Sequence, residues 1–232
     1  LGVASQQAAN LINLIKKSPN VNLTGAYTHF ATADDIDTTF MYEQLKTFKE
    51  ILPKEISLIK HAANTSALID HPKTHLDLVR PGLSVYGCHY AKHLRSKINL
   101  KPCMSVHAQI IAIKIMPSGS YSGYGKSYKY ERKSRIAVIP IGYGDGYFRS
   151  LSNQAVVQIK GKFAPVRGRV SMDQITVDIT DHPELNIGDS VEIISNNSLA
   201  PNSVENLARL ANTIPYEITC HMGRNLNHKL VD

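Results

Sequence analysis

Tyr143 stands between two glycines in the stretch IGYGDGY (141–147), directly behind the apolar run RIAVIPI (135–141). A phenol can take up and return a proton, and glycines allow the tight backbone that would present it. The same Gly and Asp residues also build an ordinary β-turn, so the loop alone leaves both readings open. Downstream, GRVSMDQ (168–174) is a second short segment of this kind, with Met172 near its end.

A second group of candidates recurs at regular places in the first hundred residues. His29, then Asn64 with Thr65, then Arg80 with Gly82 each fall at the C-terminal end of a predicted strand, which is the face where parallel βα barrels carry their chemistry. An imidazole, a hydroxyl, a guanidinium and backbone amides can together hold an anionic, acid–base-active small molecule. His29 alone reads as a core or loop histidine, and Arg80 alone as half of a surface ion pair. Their recurrence in three successive units is what points to a site.

These positions require particular elements to carry them. Over residues 1–96, Leu11, Leu14 and Ile15 recur at helical spacing within 3–17, and Lys16 and Lys17 suit the helix C-terminus. A strand is expected over 22–30. A helix over 37–52 follows, with an apolar stripe of Phe40, Leu45, Phe48, Ile51 and Leu52, and Pro53 stops it. Strands over 56–62 and 76–82 complete a strand–helix–strand repeat, the pattern of a parallel sheet. From 97 to 232 the period changes to two: 105–115, 135–141, 155–160, 163–170, 174–180 and 190–195 read as strands, with a hairpin turn at Gly161–Lys162 and a tight turn at Asn186–Asp189. One helix, about 203–212, is expected behind Asn202 and Glu205 at capping-box spacing. The fold class is therefore α/β plus β, a parallel βα portion followed by a mostly antiparallel β domain.

Composition narrows the partners. The chain has 232 residues, 43% hydrophobic and 19% charged, and a formal charge of +7. It contains no apolar run of bilayer length and no signal-peptide pattern, so a cytoplasmic protein without a membrane partner is expected. Cys88, Cys103 and Cys220 form no CxxC pair and are expected to be reduced. The segment KSYKYERKSR (126–135) mixes basic and aromatic residues, yet no nucleic-acid-binding motif accompanies it; a solvated β-hairpin is expected and no nucleic-acid partner. His71/His75 and His89/His93 have the i, i+4 spacing of zinc ligands on a helix, but Pro72 interrupts the first pair and no acidic or cysteine partner stands at ligand spacing, so no metal is expected.

Six segments in order, THFATAD (28–34), HAANTSA (61–67), VRPGLSVYG (79–87), IGYGDGY, GRVSMDQ and PYEI (215–218), resemble the alanine racemases, fold-type III enzymes that use pyridoxal 5′-phosphate. The resemblance runs along essentially the whole chain. It implies a TIM-like βα barrel followed by a β domain, a homodimer, and interconversion of L- and D-alanine that supplies peptidoglycan synthesis. Arg80 matches the arginine facing the pyridine nitrogen, and His29 the histidine beside it. Asn64, Thr65, Gly82, Leu83 and Tyr216 match cofactor-binding positions, with Thr65 at a usual serine. Tyr143 matches the base that works on L-alanine, and Met172 a position whose amide meets the substrate carboxylate.

Three departures accompany the match. The family's Schiff-base lysine lies in a K-A-x-A-Y-G-H-G-like motif that this sequence does not contain, and Lys60 matches no catalytic position. The opening LGV resembles the residues just after a D-T-G-M-x-R motif, so the chain is expected to be a fragment, with an incomplete barrel and no racemase activity by itself. GRNLNHKLVD (223–232) stands where the family has R-V-P-R, and no role passes to Arg224. Two alternatives remain: a racemase for serine or another amino acid, and a non-catalytic remnant that binds a phosphate ligand or dimerises.

Overall fold

The computed structural model describes residues 2–54, 57–223 and 225–231; Ile56, at the start of an expected strand, and Arg224 lie outside them. The chain divides into two compact units, residues 1–85 with 89–100 and residues 86–88 with 101–232.

In the first unit, a 3-10 turn at Ser5–Gln7 precedes α1 (Ala8–Lys17), so the expected helix starts later as an α-helix. Strand β1 (Gly25–Tyr27) and strand β2 (Ile59–His61) pair in parallel, with Gly25 opposite Ile59 and Tyr27 opposite His61. Between them runs α2 (Thr39–Ile51), which buries Met41, Leu45 and Phe48. Phe40 is expected on that stripe but is 52% exposed; Met41, four residues before Leu45 and seven before Phe48, takes the inner face instead. Phe30, Ala62, Ala63 and Ala67 close the core beneath Met41 and Leu45. The third expected strand, 76–82, is reduced to a parallel bridge between Leu78 and His61. Asp77 uses its amide on the Lys60 carbonyl and its carboxylate on the Lys60 amide, and Arg80 donates its amide to the Ala63 carbonyl. Helix α3 (Thr65–Asp70) follows β2. This is consecutive parallel βα structure, as expected of a barrel portion.

The second unit is antiparallel β structure, as its period-two sequence requires. The run 105–115 is two strands, not one: β3 (Val106–Gln109) and β4 (Ala112–Met116) lie in different sheets. At the corner Ile110 is buried and Ile111 is half exposed. Ile110 pairs with Asp189 and Gly188, and Ile111 with Val138. Two adjacent isoleucines break the alternation, and the chain changes sheet there. A two-pair hairpin joins β5 (Tyr121–Ser122) to β6 (Tyr128–Lys129). The basic segment 126–135 is thus one arm of that hairpin leading into β7 (Ser134–Ile139), not a hairpin of its own, and Tyr130 within it is buried.

Strands β8 (Val156–Ile159) and β9 (Lys162–Pro165) form the expected hairpin, but its turn is Lys160–Gly161, one residue earlier than Gly161–Lys162, because both turn residues of a primed turn need positive φ and Lys162 pairs with Ile159. Strand β10 (Ile175–Asp178) pairs with β7, and β7 with β4; β11 (Ser190–Ile194) lies between β3 and β8. Helix α4 (Val204–Ala211) is capped by Ser203, whose hydroxyl accepts from the Asn206 amide. Asn202, the expected cap, instead donates its side-chain amide to the Glu192 carbonyl. Helix α5 (Pro215–His221) begins at a proline, where the missing N–H costs no helical bond.

Candidate active site

Arg80 organises the first unit's candidate residues. Its Nη1 donates to His61 Nδ1 at 2.6 Å, and its Nη2 to the carbonyls of Thr28 at 2.9 Å and Ala62 at 3.2 Å. His29 Nδ1 lies 3.4 Å from the same Nη2, a long contact. Tyr27 packs under the guanidinium at 5.3 Å and stacks on the His61 ring at 5.2 Å. None of these hydrogen-bond partners is a carboxylate, so nothing within this network cancels the positive charge. Arg80 Nε has no hydrogen-bond partner among the described residues. Burial pulls the Arg80 pKa below the usual arginine value, against the opposite influence of Tyr27, and the group stays a cation.

His61 must accept from this arginine, so its proton sits on Nε2. Burial first, and then the Arg80 charge, hold its imidazole below the usual histidine pKa and favour the neutral ring that the contact needs. Sequence reasoning gave His61 no role, although it opens the HAANTSA segment and falls, like its neighbours, at a strand end.

The candidate phosphate-binding residues sit one turn away in sequence. Asn64 is the N-cap of α3, and its Oδ1 accepts from the Ala67 amide at 3.1 Å. That contact fixes the helix start and leaves the Asn64 amide nitrogen as a donor. Thr65 is buried, and its hydroxyl accepts from the Gly82 amide at 2.8 Å. The Gly82 N–H is therefore used within the protein, while the Thr65 O–H remains free to point elsewhere. Leu83 follows, buried, at the head of a 3-10 turn to Tyr86.

The second unit holds Tyr143 and Met172 against each other through the backbone. The Tyr143 amide donates to the Ser171 carbonyl at 3.0 Å, and the Gly144 amide to the Met172 carbonyl at 2.9 Å. Asp145 closes the turn by accepting from the Gly142 amide. A Cβ on Gly142 would stand 2.2 Å from the Met172 oxygen, and one on Gly146, at φ +97°, would stand 2.3 Å from the His221 oxygen. Only glycine allows these close approaches. Tyr143 is 45% exposed. Met172 is exposed as well, and its amide has no partner among the described residues. Tyr216 lies in the first turn of α5, partly exposed, and α5 reaches the Tyr143 loop through the His221 carbonyl beside Gly146.

A second Gly-Tyr-Gly, at Gly123, Tyr124 and Gly125, flanks the other side of the GRVSMDQ segment. Gly123 and Gly125 have positive φ, and so does Lys126, a conformation costly for a residue with a side chain. A Cβ on Gly123 would meet the Arg169 nitrogen at 2.3 Å, and one on Gly125 would lie 3.9 Å from the Arg169 guanidinium. Tyr124, 69% exposed, lines a cavity of about 540 Å³ together with Arg169 and Ser171. Sequence reasoning passed over Tyr124, though the repeated Gly-Tyr-Gly was there to see.

Comparison with known proteins gives these features a family. The N-terminal domain model of the alanine racemases matches residues 1–90, and the C-terminal domain model matches residues 103–230. The chain belongs to the alanine racemase family. An alanine racemase of Halothermothrix orenii is 39% identical over 231 residues, which is 97% of this chain and 61% of that protein. The crystal structure of an alanine racemase from a D-cycloserine-producing Streptomyces lavendulae superposes with a TM-score of 0.91 at 30% identity, over 99% of this chain and 63% of that one. One from Bartonella henselae, with covalently bound pyridoxal phosphate, superposes at 0.88 and 30% identity over 100% and 63%. The chain thus spans less than two thirds of the length of these relatives.

Proposed function

We propose that this chain supplies the pyridine-facing arginine, the phosphate-binding turn and the tyrosine base of a pyridoxal-phosphate-dependent alanine racemase. The observation that carries the reading is Arg80: a guanidinium held at the strand ends by neutral acceptors, with its Nε unpartnered among the described residues. That donor set suits an aromatic nitrogen lone pair. The permanent charge of arginine leaves it no proton to give away, so a pyridine nitrogen beside it stays unprotonated. The Thr65 hydroxyl, the Asn64 amide group, the Leu83 amide and the Tyr216 phenol are the groups assigned to the phosphate, while the Gly82 amide acts through Thr65. His29 is the group assigned beside the arginine.

Pyridoxal phosphate, when bound, acts as an electron sink that acidifies the substrate Cα–H, more weakly where its ring nitrogen carries no proton. The protein must then move that proton to either face. One phenol takes it from L-alanine, the Met172 amide orients the substrate carboxylate, and a second base must act on the opposite face. The family's lysine does so, and its motif is not in this sequence. Tyr143 is the base that the motif match favours. Tyr124 is the rival, favoured by its greater exposure, its strained elbow and the neighbouring Arg169 guanidinium. Ile111 and Tyr121, each about half exposed, line one surface with Ala112 and Met116 in this unit, an apolar lining that suits a second copy in a homodimer. Three free cysteines suit the reducing cytoplasm. Among the described residues no helix is long and apolar enough to cross a membrane.

The test is racemisation by the protein expressed from its native reading frame, with pyridoxal phosphate and L- or D-alanine, followed by chiral chromatography. Replacing the true base by phenylalanine lowers turnover by about 10²- to 10⁴-fold and stops Cα–H exchange from L-alanine while exchange from D-alanine persists. Comparing Tyr143→Phe with Tyr124→Phe assigns the role. Full activity in both variants, or faster turnover of serine than of alanine, overturns the reading.

A further inference from the structure

A second polar cavity, of about 370 Å³, opens among β6, β7, β9 and β10 and shares no lining residue with the cavity at Tyr124. Its charged lining consists of Glu131, Arg132, Arg167, Asp178, Asp181 and His182. Arg132 is already satisfied, since its Nη2 donates to both Asp181 oxygens at 2.7 and 2.6 Å. Arg167 is not. Its guanidinium lies 4.6 Å above the Tyr128 ring, its side chain makes no hydrogen bond among the described residues, and its Nε is out of solvent without a partner. His182 Nδ1 is likewise covered and unpartnered. Those two atoms are covered by protein, whereas the Nη1 and Nη2 donors of Arg167 are not among the covered atoms and make no hydrogen bond among the described residues, so they are the donors this lining offers to an acceptor in the cavity.

The charge balance decides what kind of acceptor. With Arg132 and Asp181 cancelling, Arg167 shares the lining with the carboxylates of Asp178 and Glu131 and is ion-paired to neither. Asp178 commits one oxygen to the Thr180 amide and hydroxyl. A free anion would meet Arg167 but be repelled by Asp178 and Glu131, and a free cation would meet the reverse. A molecule carrying both charges satisfies both sides. The aromatic faces of Tyr128 and Phe163 supply a wall for a short side chain, and the volume is at the small end for ligand sites.

We propose that this cavity binds a small zwitterion of the amino-acid class, its carboxylate on Arg167 and His182 and its ammonium toward Asp178 and Glu131. The site stands whether or not the racemase reading does. The test uses the whole chain, ¹⁵N-labelled, with the Arg167 Nε–H and His182 ring resonances followed as glycine is added. Glycine has no stereocentre to invert, so binding is read apart from any racemisation. Both resonances are expected to move together and saturably, at about tenfold lower concentration for glycine than for acetate or methylammonium. Arg167→Lys, which keeps the charge but not the fork, is expected to abolish the His182 response, and Glu131→Gln at the exposed rim to weaken it without unfolding the protein. No saturable shift with glycine means that the cavity holds water only. Acetate binding as tightly as glycine means a simple anion site. An unchanged His182 response in Arg167→Lys removes the assigned contact. Each of these results overturns the proposal.

Discussion

The two units hold their candidate residues by different means. In the βα unit, side chains do the positioning: Arg80 is fixed by His61 and two strand-end carbonyls, and Thr65 by the Gly82 amide. In the β unit, backbone presses on backbone: Tyr143 and Gly144 are tied to Ser171 and Met172, and glycines stand where any Cβ would collide. A guanidinium network can be adjusted by charge and protonation, whereas a glycine elbow has one geometry or none. The chemistry expected of each unit suits its device. Arg80 is assigned to tune a bound ring electrostatically, and the tyrosine elbow to place a proton at one point in space.

That contrast can be broken most strongly at the elbow. Gly146→Ala meets both an unfavourable φ and the His221 carbonyl, and it is expected to cost about 3 kcal/mol, read as a lowered urea midpoint. A midpoint within error of the parent would show that the backbone contact is not what fixes the loop. Next, Asn64→Ala removes the α3 cap and should cost about 1 kcal/mol while leaving the Tyr143 loop unaltered in its NMR spectrum; an equal disturbance in both units would erase the distinction.

The smallest effect sharpens the electrostatic side. The folded-state pKa of His61 is lowered, so its contribution to stability is present above the unfolded value of about 6.5. It is lost as the pH falls through the folded midpoint, when a protonated Nδ1 would face the Arg80 donor. An NMR titration should place the His61 midpoint below 6.5 and move the Arg80 Nη signals with it; a midpoint above 6.5 contradicts the neutral-acceptor assignment.

Much of this arrangement was legible in residue order. The shift from helical to period-two spacing near residue 97 and the strand-end positions of His29, Asn64 and Arg80 carried both the fold class and one set of candidates. What escaped was local or mutual. Nothing in a run of alternating apolar residues marks where it changes sheet, so the corner at Ile110 and Ile111 was read as one strand. Phe40 outweighs Met41 in hydrophobicity, yet helical phase gave the core to Met41. Ser203 caps α4 because Asn202 reaches Glu192 instead, a tertiary contact invisible in sequence. His61 became significant only once Arg80 was seen to lean on it. Tyr124 lies just before the basic segment 126–135, which reads as an ordinary hairpin, and was passed over beside it.

Arg80 also has a mechanical role. Its Nη2 bridges the carbonyls of Thr28 and Ala62, at the ends of adjacent parallel strands, beyond the last regular ladder pair at Tyr27 and His61. The guanidinium substitutes for backbone bonds where the strands part. A ligand that draws Arg80 toward itself therefore competes with the seam between two strands, and amide exchange at Thr28 and Ala63 would register that tension from within the sheet.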